Sequence, residues 1–160
     1  MSKTVFLAAL VAASLAGAAE AQETLTPEVL AAADLEHGET LFKFCRSCHS
    51  VLPEGEKFKT GPRLWHVFGR PVGSLEDYHY SKALENADFA WTPDKLNEWL
   101  LKPRDFLPGT RMTFAGFPKE EDRVALIAYL VRETGGDPAS ATGATPDDPA
   151  PAGDEAAAPQ

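Results

Sequence analysis

Ligating side chains are scarce in this chain: 160 residues hold two cysteines, two methionines and four histidines. That scarcity excludes a disulfide-stapled scaffold, which needs several cysteine pairs. It also leaves no four thiols or imidazoles at metal spacing for a closed zinc site. After residue 16 no apolar run approaches the ~20 residues that cross a bilayer, and no stretch reads convincingly as a strand. From Gly135 to Gln160 the chain lacks aromatic residues, lysine and arginine altogether and is mostly Gly, Pro, Ala, Ser, Thr and Asp. Such a segment cannot bury enough apolar surface to offset the entropy of ordering it, so residues 135–160 are expected to form a disordered acidic tail.

The start of the chain is also set apart. Lys3, the apolar run Val5 to Ala16 and the triplet Ala19-Glu20-Ala21 have the layout of an export signal, residues 1–21, cleaved after Ala21. Residues 22–33 then read as an N-terminal extension, and residues 34–134 as one small domain. The formal net charge of −9 misrepresents that domain. Between Asp34 and Arg132 stand 14 cationic and 15 acidic residues, so the excess acidity lies towards the two ends.

Both cysteines fall in one motif, Cys45-Arg46-Ser47-Cys48-His49. Two thiols so spaced can each form a thioether with a vinyl group of one porphyrin, and the adjacent imidazole of His49 then falls under the iron. A thioredoxin-like redox pair would need a βαβ pattern around the motif, whereas the periodicity here is helical on both sides. The chain therefore reads as one that carries a single covalently attached haem c.

Four helices are predicted. The first runs from Ala31 to Cys45 with Asp34 as its cap, and keeps Gly38 against its propensity, as where another backbone comes close. A short one spans Ser81 to Asn86. The third starts at Thr92-Pro93, ends before Pro103 and buries Leu96, Trp99 and Leu100. The last follows Pro118, has acidic residues in its first turn and stops at Gly135-Gly136. Its expected stripe is Val124, Ile127, Ala128 and Val131, widened by Leu126, Tyr129 and Leu130. Ser50 to Asp77, dense in Gly and Pro, is a loop region. The fold class is all-α, three to five helices and long loops wrapped around the haem.

For the second face of the iron the residues leave Met112, which lies in a stiff Pro/Gly loop, or His37, His66 and His79. A lone methionine is otherwise a core gap-filler. Thioether ligation would raise the potential relative to two imidazoles, and two protein ligands would leave no open position for a substrate.

The domain closely resembles class I cytochrome c. The resemblance rests on Gly38, Phe42 and Cys45–His49, on Thr60-Gly61-Pro62 and Phe68-Gly69-Arg70, on the Tyr80 and Trp91 pair, on Pro108 to Gly116 and on Leu126 to Leu130. It implies Met112 as the second ligand and a Pro62 carbonyl that accepts from His49. It further implies Arg70, Tyr80 and Trp91 beside the haem propionates, and a near-perpendicular crossing of the first and last helices at Gly38. Two departures, Trp99 for a tyrosine and Leu84 for an asparagine, remove polar groups beside the haem. The resemblance implies a monomeric one-electron carrier in the periplasm, with no enzymatic activity and no nucleic-acid partner. It would shuttle between a quinol–cytochrome c oxidoreductase or periplasmic dehydrogenase and a terminal oxidase, reductase or photosynthetic reaction centre. Lys59 and Arg104 align with positions that ring the haem edge in the family, and Arg111 and Lys119 flank the methionine loop; these cations are expected to meet acidic redox partners, the alternative being ordinary surface charge. A haem subunit held permanently in a larger complex, or a haem peroxidase, are the competing readings.

Overall fold

The computed structural model describes residues 24–53 and 60–135. Residues 1–21, with the expected export signal, lie outside the described residues, as do Lys59 and all of the tail after Gly135. Six helices follow one another: α1 Pro27–Ala31, α2 Leu35–Phe42, α3 Lys82–Glu85, α4 Pro93–Leu101, α5 Pro103–Phe106 and α6 Glu120–Thr134. Local chemistry starts most of them. The side chains of Thr26, Asp34, Ser81 and Thr92 each accept from a backbone N–H of the first turn, and proline opens α1, α4 and α5. Gly135, at φ 66°, ends α6 in the left-handed conformation that glycine adopts without penalty.

The count exceeds the expected three to five because two single turns are added: α1 lies in the segment expected to be an N-terminal extension, and α5 starts at Pro103, expected only to end the helix before it. α2 is shorter than the predicted 31–45 span. The backbone continues past Phe42 as successive tight turns instead, with Cys45 N–H donating to Phe42 O at 2.8 Å. Strands are absent among the described residues; one isolated bridge joins Pro71 and Ala90.

α2 and α6 form the most extensive helix pair, and α6 also packs on α4 and α1. The approach of α2 to α6 centres on Gly38. A Cβ there would sit 2.1 Å from Ala125 O and 2.8 Å from Tyr129 Cβ, so only glycine fits. Beside it the Phe42 and Tyr129 rings lie 5.4 Å apart. Because three helices cover α6, its buried arc is wider than one stripe: Ala125 to Leu130 are all buried, whereas the expected stripe members Val124 and Val131 are only half-buried. Leu126 and Ile127, at 0% exposure, form its centre.

The packed body begins before Asp34. Leu25 and Leu30 belong to the same buried cluster as α2, α4 and α6, and Leu25 N–H donates to Asp94 Oδ1 on α4 at 2.8 Å. Thr26-Pro27 carries the same cap-then-proline signal as Thr92-Pro93, so this helix was legible. No helix among the described residues is long and apolar enough to cross a membrane.

Candidate functional site

The motif lies where α2 gives way to tight turns. Cys48 N–H and His49 N–H both donate to Cys45 O, at 3.0 and 2.9 Å. This winding puts both thiols and the imidazole on one backbone turn. The cysteines are half-buried and not joined to each other. Burial and the neighbouring Cys48 push the Cys45 thiol up to about 11, so it stays neutral where a reactive or metal-binding thiol would be a thiolate.

Behind the motif runs the Thr60–Leu64 strap. Gly61 N–H donates to Cys48 O at 2.9 Å, and Leu64 N–H to Ser50 O at 2.7 Å. The Tyr78 hydroxyl donates to Thr60 O at 2.7 Å. These bonds carry the Pro62 carbonyl to 2.8 Å from His49 Nδ1. A carbonyl can only accept, so Nδ1 holds the proton and Nε2 is the nitrogen whose lone pair can meet a metal.

Gly61 lies against the same ring. A Cβ at residue 61 would come within 2.5 Å of His49 Cε1 and 2.8 Å of Nδ1. Gly61→Ala should therefore displace the imidazole and weaken its bond to Pro62. The expected result is a midpoint potential and visible spectrum that both change, together with a stability loss of about 1–3 kcal/mol, typical of overpacking. A variant with the parental spectrum and potential would show that the strap yields without moving the ring.

Met112 is half-buried and packed against the core cluster. Its loop is held upstream by Thr110, itself buried: Thr110 N–H donates to Leu107 O at 3.2 Å, and Met112 N–H to Thr110 Oγ1 at 3.2 Å. Downstream, Phe117 N–H donates to Leu100 O at 2.8 Å. Trp99, 5% exposed, stands in a run of edge-on rings in which Trp91 and Trp99 are 5.5 Å apart, Trp99 and Phe106 5.9 Å, and Phe106 and Phe89 5.7 Å. Such rings make an apolar wall.

Arg70 donates through Nη1 to Trp65 O at 2.9 Å and through Nη2 to Arg63 O at 3.0 Å, closing the 63–70 loop on itself. Burial draws its guanidinium below the ordinary range, and burial raises the Tyr80 phenol, which Arg70 partly offsets. A half-buried cation beside a half-buried phenol suits an acidic group such as a propionate.

The histidines other than His49 are elsewhere. His37 is exposed and paired with Asp122 at 2.7 Å, His66 is exposed at φ 50°, and the carbonyl of exposed His79 accepts from Arg111. Of the four candidate docking cations, Arg104, Arg111 and Lys119 are exposed, with Lys119 lying 3.8 Å from Glu121. Arg123, on the buried side of α6, is 4% exposed, and nothing local in the sequence marks it as buried. Its place among acidic residues in the first turn gave it the pattern of a surface cation.

The donor set fits haem better than a bare metal. Among the described residues no three His, Cys, Asp or Glu side chains gather where they could hold an ion. A haem brings most of its iron's ligands with it, so the protein would supply few donors, and an imidazole with a fixed tautomer, a thioether and two thiols are what this chain provides.

An all-α domain built around a paired-thiol and imidazole turn, with no strands among its described residues, defines the class. A family model described as cytochrome c matches residues 35–133, and the chain belongs to the cytochrome c family, whose class I members it resembles and which carries covalently attached haem c. A protein named cytochrome c homolog from Rickettsia conorii is 41% identical over 104 residues, covering 65% of this chain and 59% of the relative. The chain thus spans under two thirds of the length of that relative. Cytochrome c2 of Afifella marina is 45% identical over 96 residues, 58% of this chain and 77% of the relative. Cytochrome c of Guizotia abyssinica is 42% identical over 104 residues, 64% of this chain and 93% of the relative.

Proposed function

We propose that this chain is an exported one-electron carrier. Cys45 and Cys48 would attach its haem and His49 and Met112 would bind the iron, with Pro62, Arg70, Tyr80 and Trp91 around the group. The observation that carries the reading is the His49 Nδ1 to Pro62 O bond of 2.8 Å, which presents one nitrogen of a fixed tautomer at the end of a paired-thiol turn. The haem supplies a reversible one-electron couple; the chain supplies the insulation. Trp99, Phe42 and Leu126 exclude water, and Arg70 and Tyr80 offer donors to acidic groups at the edge. With His49 and Met112 both bound to the iron, the chain would leave no site for peroxide or another substrate, which would set a carrier apart from an enzyme.

The carrier would move between a quinol–cytochrome c oxidoreductase or periplasmic dehydrogenase and a terminal oxidase, reductase or photosynthetic reaction centre. The export layout of residues 1–21 supports a periplasmic location. Exposed Arg104, Arg111 and Lys119 supply positive charge that would steer an acidic partner.

The test is the native holoprotein. It should elute as a monomer, show the red absorption band of a methionine–ferric iron bond, and react slowly with cyanide and peroxide. Elution only with larger subunits would favour the permanent-subunit reading, and rapid peroxide turnover the enzyme. In native membranes, Arg104→Glu with Arg111→Glu should slow turnover about tenfold or more at low salt, with the difference closing as salt screens the pair. Equal rates at low salt would remove the docking role.

A further inference from the structure

We propose that Arg123 is a positioning residue for Met112, oriented from across the helix interface by Asn97. Arg123 Nε donates to Asn97 Oδ1 on α4 at 2.6 Å, and its Nη1 donates to Phe117 O and Pro118 O, both at 2.9 Å. Arg123 and Asn97 are 4% and 2% exposed. All three acceptors are neutral oxygens. Burying a guanidinium against them is costly, and apolar side chains would hold two helices together at lower expense. α4 and α6 already share Leu96, Leu100, Leu126 and Leu130 in one core.

The guanidinium adds a grip on the loop. Phe117 and Pro118 end the segment that carries Met112, and between Thr113 and Gly116 the backbone has no hydrogen bond within the described residues. The downstream end of that segment is held by Phe117 N–H on Leu100 O and by the Arg123 fork. Gly116 fits tightly there, since a Cβ on it would meet Leu101 O at 2.0 Å. Releasing the fork loosens one of the two ends from which Met112 hangs, leaving Phe117 N–H on Leu100 O as its remaining hydrogen bond. Local opening of the loop then becomes easier, and an external ligand competes better for the position that Met112 holds.

This inference rests on Met112 being the second ligand. The test is an imidazole titration of the ferric holoprotein, followed by its absorption spectrum, with guanidinium unfolding measured in parallel. Asn97→Leu keeps the volume and removes the acceptor, and Arg123→Lys shortens the fork. Each should tighten imidazole binding about tenfold or more, the scale of a lost hydrogen bond to a charged group. Asn97→Asp, which keeps the acceptor oxygen, should stay within about twofold of the parent. Should Asn97→Leu yield no holoprotein, Asn97→Ser makes the same comparison with an intermediate effect. A lower unfolding midpoint with unchanged imidazole affinity would make the fork a mere fastener and overturn the proposal. A parent without the methionine–iron band, or a Met112→Ala variant with parental imidazole affinity, would instead sink the ligand assignment.

Discussion

Met112→His is expected to lower the midpoint potential by on the order of 0.2 V, a sizeable part of the ~0.8 V over which axial ligands move haem potentials. A thioether is soft and favours the ferrous state, whereas imidazole donates more strongly and favours the ferric one. The surroundings do little to offset the exchange, because Met112 packs against an apolar core cluster. A spectroelectrochemical titration of the holoprotein measures the shift, and the red band should vanish with the sulfur. A potential within a few hundredths of a volt of the parent, with that band intact, would mean that Met112 never bound the iron.

Gly38→Ala is the stability change with the largest expected effect. By helix propensity alone alanine should gain about 1 kcal/mol at this position. The geometry reverses the sign. The new Cβ would stand 2.1 Å from Ala125 O and 2.8 Å from Ala125 C, and backbone atoms of α6 cannot rotate away. α2 would have to withdraw by about 1 Å to restore normal carbon contacts. That withdrawal opens the Phe42–Tyr129 contact and the core beneath it. A net loss of about 2–4 kcal/mol is expected from guanidinium unfolding of the holoprotein. Equal or greater stability in the alanine variant would mean that the helices do not approach as closely as the structure has them.

Much of this was readable from residue order. Asp34, Thr92-Pro93 and Gly135 mark helix ends through their own backbone preferences, and each marks an end in the structure. α1 carried the same local signal in Thr26-Pro27 but lay in a segment read as an extension, since only its burial against α6 shows that it belongs to the body. The outer members of the α6 stripe were misplaced for a related reason. Periodicity marks an apolar face, and the number of neighbours sets how far round the helix burial extends.

Arg123 was the least legible residue of the site. Its surroundings in the chain, Glu120, Glu121 and Asp122, are those of an exposed first turn, and its partners Asn97 and Phe117 come from outside its helix. A sequence shows which side chains are charged, and folding decides which charges are removed from water.

The sequence by itself determined the covalent chemistry and the local geometry: two thiols and an imidazole on one turn, the caps, the prolines and the glycine that ends α6. Those follow from contacts within a few residues along the chain. Tertiary structure alone decided which carbonyl fixes the tautomer of His49, how close α2 comes to α6, and what holds the far end of the Met112 loop. These depend on atoms brought together from 13, 87 and 26 positions apart in the chain, at His49 and Pro62, Gly38 and Ala125, and Asn97 and Arg123. Contacts at that separation form only when the whole core has closed, so no local preference encodes them.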